Sequence, residues 1–298
     1  MCSDSIQEYF QRPPSPLQEI HLPLFQEHEV AVYMKRDDLL HPLISGNKWR
    51  KLKYNLFELI RLGKPGIITF GGAFSNHLHA VAAAGHVFQF KTVGIVRGER
   101  PAILSKTLLD CHAWGMELHF VSKGSYRQKE VSDTIQGILR QFSDYLLLPE
   151  GGDNELAQKG CAEIVEEIQL PYSYLCTAFG TGATFKGLAS SGKLEGILLG
   201  FPVLKGINPE DVSLLFPHKL MIDYHFGGYA RHTPALLSFI QDFEKETGIK
   251  LDQVYTGKLM YGILDLIRNG FFPKGSRIIA LHTGGLQGRL PQLDASLF

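Results

Sequence analysis

The residue in this chain best suited to covalent chemistry is Lys48, in the stretch Ser45-Gly46-Asn47-Lys48-Trp49-Arg50-Lys51-Leu52. A small glycine-bearing turn precedes it. A helical pattern follows, placing Leu52, Leu56, Leu59 and Ile60 on one apolar face. Lys48 then falls in the first helical turn, beside the positive end of the helix dipole, where a cation is electrostatically misplaced. That misfit suits an amine that gives up its proton and reacts as a nucleophile or base. The ordinary reading, a solvated lysine in a basic turn with Arg50, Lys51 and Lys53, wins on this stretch taken alone.

Three glycine-bearing turns shift the balance. Gly71-Gly72-Ala73-Phe74-Ser75-Asn76-His77 follows an apolar run and opens a helical pattern. Its glycines let a ligand approach the backbone, and Ser75 or Asn76 can cap a helix whose first N–H groups attract an anion such as a carboxylate. Gly180-Thr181-Gly182-Ala183-Thr184 also joins a strand to a helix, and its N–H and hydroxyl donors can form a cup for a phosphate dianion. It is no dinucleotide fingerprint, because Phe185 stands where the third glycine belongs. His282-Thr283-Gly284-Gly285 closes a last apolar strand. Tyr255-Thr256-Gly257-Lys258 supplies further polar groups, with Tyr229 lying 26 positions before Tyr255 and Thr283 lying 27 after Thr256.

Other chemistries fit less well. Gly187 to Leu194 reads G-L-A-S-S-G-K-L, but Leu194 replaces the hydroxyl residue that a nucleotide-triphosphate loop needs for magnesium. His77 and His79 point to different sides of a helix, with no carboxylate or cysteine at ligand spacing, so no metal site is expected. His86, His112 and His119 read as surface or cap residues. No G-x-S-x-G hydrolase motif is present.

Together these motifs resemble the pyridoxal-phosphate enzymes of the tryptophan-synthase-β fold type, and more narrowly the 1-aminocyclopropane-1-carboxylate deaminase and D-cysteine desulfhydrase family. The resemblance runs from about Pro16 to Leu286. It implies that Lys48 carries pyridoxal 5'-phosphate and later removes the substrate α-proton. It also implies that Gly180, Thr181, Gly182, Ala183 and Thr184, with Lys51, hold the phosphate. Ser75, Asn76 and His77 match the loop for the substrate carboxylate, Asn76 also lying beside the cofactor's phenolic oxygen. Tyr255 and Tyr229 match the two active-site tyrosines, Tyr255 assisting proton movement and Tyr229 shaping the same wall. Thr256 and Thr283 match the substrate-discriminating pair, and either could meet the pyridine nitrogen. The deaminase branch carries Glu and Leu there, so the two threonines side with the desulfhydrase branch. A carboxylate beside the pyridine nitrogen keeps it protonated and makes a strong electron sink; a neutral threonine does not. The weaker sink suffices for β-elimination of a good leaving group. Phe74, Ala183 and Thr256 depart from common family residues, and the chain is shortened between Phe185 and Tyr229.

Lys48 needs elements to position it, and the pattern supplies them. Strands are expected at Val30–Arg36, Gly66–Phe70, Lys91–Val96, Glu117–Val121, Tyr145–Leu148, Tyr172–Ala178, Gly196–Leu199, Leu220–Tyr224 and Ser276–Leu281. Helices alternate with them at Ser75–Val87, Ala102–Ala113, Tyr126–Phe142, Asn154–Ile168, Thr184–Ser190, Thr233–Glu246 and Thr256–Arg268. Such alternation indicates an α/β fold with mainly parallel sheets covered on both faces. Residues 1–28 read as a polar arm. No linker separates two domains, which fits an interleaved design. The resemblance implies two interleaved three-layer α/β/α domains with the cofactor in the cleft between them: a large domain of residues 1–51 and 148–298, and a small inserted domain of residues 52–147.

The totals agree with an enzyme. At 298 residues and 44% hydrophobic composition the chain can bury a sizeable core. Thirty basic and thirty acidic side chains cancel, so neither a nucleic acid nor another polyanion is an expected partner. No apolar run reaches membrane-spanning length, and neither a signal peptide nor a membrane partner is expected. Cys2, Cys111, Cys161 and Cys176 show no paired spacing and read as reduced thiols of a cytoplasmic protein. The resemblance adds a homodimer. The expected reaction is β-elimination of sulfide from D-cysteine, leaving pyruvate and ammonia. Alternatives are deamination of 1-aminocyclopropane-1-carboxylate, lysis of another β-substituted amino acid, a pyridoxal-phosphate-binding amino-acid sensor, and a sugar- or nucleotide-phosphate binder using the Gly180 loop alone.

Overall fold

The structure is a computed structural model that describes residues 3–11, 13–208 and 217–294. Cys2 and Pro209 lie outside the described residues. In chain order the strands are β1 (Leu17–Ile20), β2 (Ala31–Lys35), β3 (Gly66–Gly71), β4 (Lys91–Arg97), β5 (Met116–Val121), β6 (Leu146–Leu148), β7 (Tyr174–Phe179), β8 (Ile197–Pro202), β9 (Lys219–Leu220) and β10 (Arg277–Leu281). The helices are α1 (Ser3–Tyr9), α2 (Pro23–Glu27), α3 (Asn47–Arg61), α4 (Asn76–Phe88), α5 (Lys106–Ala113), α6 (Lys123–Gln128), α7 (Asp133–Gln141), α8 (Glu155–Glu166), α9 (Ala183–Ala189), α10 (Pro234–Thr247), α11 (Thr256–Arg268) and α12 (Pro291–Asp294).

The chain divides into two compact units. Unit one takes Met1–Pro13, His41–Ile44 and Lys48–Gly160; unit two takes Pro14–Leu40, Ser45–Asn47 and Cys161–Phe298. Residues 52–147, expected as the inserted domain, fall inside unit one.

Unit one holds a wholly parallel sheet in the order β5-β4-β3-β6. On one face Ile68, Phe70, Val93, Ile95 and Val121 meet Tyr126, Ile135 and Ile138 of α6 and α7. Gly94 brings the sheet close to α4, since a Cβ there would lie 3.2 Å from Leu78 Cδ2. Unit two holds a six-stranded sheet in the order β1-β2-β10-β7-β8-β9, parallel except for the β1–β2 pair. The register aligns Tyr33, Ile279, Leu175 and Leu198 in one row. That row packs on Ile164 and Val165 of α8 and Phe185 and Leu188 of α9. The alternate residues Val32, Met34, Ile278, Ala280, Cys176 and Leu199 face the other way, against Ile240 of α10 and Leu259 and Ile263 of α11. Both faces of the sheet are therefore buried, which is why its strands read as continuous apolar runs.

Four expectations are corrected. The arm expected to lie on the body adds a strand that was not expected: Leu17–Ile20 pairs antiparallel with β2 at the sheet edge, and Ile20 is buried. The helix expected from Ala102 begins at Lys106, because Ser105 is its N-cap and accepts from the Leu108 N–H. The helix expected over 126–142 is broken where Lys129 adopts a left-handed φ of 41°. The strand expected at Leu220–Tyr224 ends at Leu220, and Ile222–Tyr224 turns into a short 3-10 helix. Thr233 caps α10 ahead of Pro234, as the sequence pattern indicates.

Candidate active site

In unit one, Lys48 is the second residue of α3, whose buried face is built by Leu52, Leu56 and Leu59. Its amine points at the Gly151 carbonyl, 3.4 Å away, and the Lys51 amine donates to the same oxygen at 2.9 Å. Both amines therefore meet at one carbonyl. The carbonyl belongs to Pro149-Glu150-Gly151-Gly152, where both glycines have positive φ, 69° and 66°. A side chain at Gly152 would put its Cβ 2.9 Å from the His77 ring. Sequence reasoning missed this turn, although a Pro-x-Gly-Gly run directly after a strand was visible.

The Ser75 loop divides its labour. Ser75 is the N-cap of α4, its Oγ accepting from the Leu78 N–H at 3.2 Å, which leaves its own proton to give. Asn76 opens the helix and is partly exposed. The His77 imidazole turns inward and is buried. Thr69 donates to the Leu148 carbonyl at 2.9 Å, so its oxygen accepts from His77 Nε2–H, also at 2.9 Å. His77 Nδ1 then carries a lone pair with no partner among the described residues. Burial first, and then the charges of Lys48 and Lys51, hold His77 well below its ordinary pKa, so the ring is neutral. What His77 offers an anion at the loop is its main-chain N–H. Phe74 is 63% exposed.

In unit two, Gly180 and Gly182 flank Thr181 ahead of α9. The φ of +94° at Gly182 is a glycine conformation. A Cβ on Gly180 would lie 3.3 Å from the Tyr255 ring, so glycine keeps the loop open beside that tyrosine. Asn47 ties this loop to the Thr283 segment. Its side chain donates to Thr184 Oγ1 at 2.9 Å, and its N–H donates to the Thr283 carbonyl at 3.2 Å. Gly46 makes the approach possible: it has φ +66°, and a Cβ there would sit 1.9 Å from the Thr283 oxygen. Sequence reasoning recognised the glycine turn but not the role of the Asn47 side chain. His282 steadies the same segment, its Nε2–H donating to the Lys250 carbonyl at 2.7 Å and its Nδ1 accepting from the Gly284 N–H at 3.3 Å.

Thr256 and Thr283 differ sharply. The Thr256 hydroxyl donates to Asp252 Oδ1 at 2.7 Å and accepts from the Asp252 N–H at 2.8 Å. Asp252 also receives the N–H groups of Val254, Tyr255 and Thr256, each at 2.8 Å, so both its oxygens carry two donors. Asp252 and Thr256 are buried and close on each other. Among the described residues the Thr283 hydroxyl joins no such closed pair. Tyr229 and Tyr255 meet edge to face, ring centres 6.2 Å apart at 71°. Cys111, Cys161 and Cys176 are buried thiols. Among the described residues no group of three His, Cys, Asp or Glu side chains is placed to hold a metal ion, and no helix is long and apolar enough to cross a membrane.

These features define a class: an α/β scaffold with a lysine at a helix start, a glycine-threonine turn ahead of α9 and a second glycine-bearing turn ahead of α4. The chain belongs to the pyridoxal-phosphate-dependent enzymes, whose family model, "Pyridoxal-phosphate dependent enzyme", matches residues 11–220. It is 29% identical to a putative 1-aminocyclopropane-1-carboxylate deaminase of Pyrococcus horikoshii, over 92% of this chain and 90% of that protein. It is 27% identical to a bifunctional D-cysteine desulfhydrase/1-aminocyclopropane-1-carboxylate deaminase of Arabidopsis thaliana, over 94% of this chain and 78% of that protein. The crystal structure of an ACC deaminase homologue superposes with a TM-score of 0.77 at 27% identity, covering 97% of each chain.

The residues present fit the cofactor. The Gly180–Thr184 loop can offer main-chain N–H groups and threonine hydroxyls to a phosphate dianion. Lys48 offers an amine at the start of α3, 3.4 Å from the Gly151 carbonyl.

Proposed function

We propose that this enzyme is a lyase that eliminates the β-substituent of a small amino acid, with D-cysteine as substrate and sulfide, pyruvate and ammonia as products. Pyridoxal phosphate, when bound, supplies the electron sink that acidifies the substrate α-carbon. The chain's own residues do the rest. Lys48 holds the cofactor, and its amine takes the α-proton once substrate has displaced it. An unperturbed lysine pKa is about 10.4, so that exchange must deliver the amine neutral. Gly180, Thr181, Gly182, Ala183 and Thr184 hold the phosphate, with Lys51 adding charge. Ser75 and the N–H groups of Asn76 and His77 take the substrate carboxylate, and the Asn76 side chain takes the phenolic oxygen. Tyr255 moves a proton near the β-carbon, and Tyr229 forms the wall beside it.

The observation that carries the choice of reaction is the closed Asp252–Thr256 pair. With both groups saturated, Thr283 is the partner we assign to the pyridine nitrogen. A neutral hydroxyl there supports a modest electron sink, which suits departure of a thiolate better than opening of a cyclopropane. The Arabidopsis relative's name carries both activities, so the assay must compare them. Purified enzyme is given D-cysteine, L-cysteine or 1-aminocyclopropane-1-carboxylate, and sulfide, pyruvate and 2-oxobutyrate are measured. Sulfide and pyruvate from D-cysteine are expected; 2-oxobutyrate alone would move the enzyme to the deaminase branch, and no product from any of the three would favour a sensor. Cytoplasmic residence and a homodimer belong to the same reading, supported by the buried thiols and by the family resemblance. Sedimentation of the purified protein tests the dimer.

A further inference from the structure

Lys258 has no part in the chemistry described above, yet it lies wholly buried one turn along α11 from Tyr255. Its ammonium donates to two carbonyls of one turn, His225 at 2.9 Å and Gly228 at 2.8 Å. Tyr229 is the next residue of that turn. The turn is an unusual piece of backbone: Phe226, Gly227, Gly228 and Ala230 have φ of 52°, 89°, 118° and 55°. Phe226 and Ala230 are not glycines, so their left-handed conformation is held against a steric cost.

Several contacts along one stripe of α11 hold it. Tyr224 donates to Asp265 at 2.8 Å. Phe226 packs edge-on against Tyr261, ring centres 5.0 Å apart. Tyr229 meets Tyr255. Residues 255, 258, 261 and 265 recur at helical spacing and so share a face. Lys258 is the cation of this series, and its Gly228 acceptor directly precedes Tyr229 in the chain. The His225 and Gly228 carbonyls also accept the Gly228 and Arg231 N–H groups, so the ammonium braces a turn that is already hydrogen-bonded to itself. Burial pulls the Lys258 amine down to about 8, while the charge of Asp252 opposes that pull. A buried ammonium so placed is held by charge-assisted bonds to its two carbonyls.

We propose that Lys258 is a positioning residue for the substrate wall: by bonding the His225 and Gly228 carbonyls, it fixes the turn that carries Tyr229 onto the helix that carries Tyr255. This rests on the reading of Tyr229 as part of that wall. Tyr229 itself is 37% exposed.

The test is a double-mutant cycle in the cofactor-loaded enzyme, with D-cysteine as probe and sulfide release as readout. Tyr229→Ala should lower kcat/KM at least tenfold. Lys258→Met should do nearly the same, with the loss in kcat and with pyridoxal-phosphate affinity unchanged within twofold. The double variant should fall within twofold of Tyr229→Ala alone, because Lys258 acts through Tyr229. Full additivity, or parental turnover in Lys258→Met, overturns the inference. Parental turnover in Tyr229→Ala removes the wall reading and the inference with it, and the silent variant tells the two failures apart. Hydrogen exchange gives a readout that needs no substrate: Lys258→Met should speed exchange at the Gly228 and Arg231 amides at least tenfold and leave the α11 amides unchanged. Unchanged exchange at those two amides also overturns it. Lys258→Gln enters the same cycle if the methionine variant does not fold. Failure of both to fold assigns Lys258 to the fold and sinks the proposal.

Discussion

On the function proposed, replacing Thr256 and Thr283 each by valine should separate a residue that holds the fold from one that serves the reaction. Valine keeps the shape of threonine and removes only the hydroxyl. At Thr256 that hydroxyl makes two buried hydrogen bonds, donating to Asp252 Oδ1 at 2.7 Å and accepting from the Asp252 N–H at 2.8 Å. A bond to a charged group contributes about 1.5–3 kcal/mol and a neutral one about 1 kcal/mol. Thr256→Val should therefore lower unfolding free energy by about 2–4 kcal/mol, since both Asp252 partners stay buried without their bond. The assay is urea unfolding at fixed pyridoxal phosphate, reading the midpoint with the slope unchanged. Thr283→Val breaks no such pair and should cost less than about 1 kcal/mol. Its effect should appear in sulfide release and in the cofactor's absorption maximum. The reasoning fails if Thr256→Val is as stable as the parent within about 0.5 kcal/mol. It fails equally if Thr256→Val shifts the absorption maximum and Thr283→Val does not.

Two further outcomes follow from the geometry. Gly46→Ala must place a Cβ 1.9 Å from the Thr283 oxygen at a φ of +66°; the left-handed cost alone is about 1–2 kcal/mol, so unfolding free energy should fall by more than that, and near-parental stability in urea would show that the Thr283 segment is not held as described. His77 is kept neutral in the folded state, so the unfolded chain takes up its proton first as pH falls below about 6.5. The stability His77 confers is thus complete above that pH and lost below it, by up to about 1.4 kcal/mol per pH unit, and His77→Gln should flatten the slope between pH 6.5 and 5; an unchanged slope would count against the buried neutral ring.

The sheets were legible because both faces of the central strands β3, β4, β7, β8 and β10 are buried, leaving apolar runs such as Arg277–Leu281 with little competition from other patterns. Helix starts were legible where capping residues stood ahead of an apolar pattern, as at Thr233 and at Ser75-Asn76, where the structure makes Ser75 the cap. The break at Lys129 carried no glycine or proline and gave no local signal. The short β9 read as a longer strand because Ile222 and Tyr224 are apolar, although they turn into a 3-10 helix. Within the candidate site, motif residues were visible because loops that approach a ligand need glycine and small hydroxyls. Their partners were not. Asn47, Asp252 and Lys258 act through bonds to main-chain or side-chain groups brought near by the fold, and spacing along the chain does not encode such bonds. The choice between Thr256 and Thr283 likewise turned on one hydrogen bond to a residue four positions away.

The central claim is that Lys48 holds the cofactor. The direct measurement is an absorption spectrum of the purified enzyme with pyridoxal phosphate, before and after borohydride, followed by peptide mapping. The account predicts a visible band that borohydride abolishes, with the reduced cofactor recovered on the peptide containing Lys48 and no band in Lys48→Ala. A band that survives in Lys48→Ala, or a label recovered on Lys51 in its place, would contradict it.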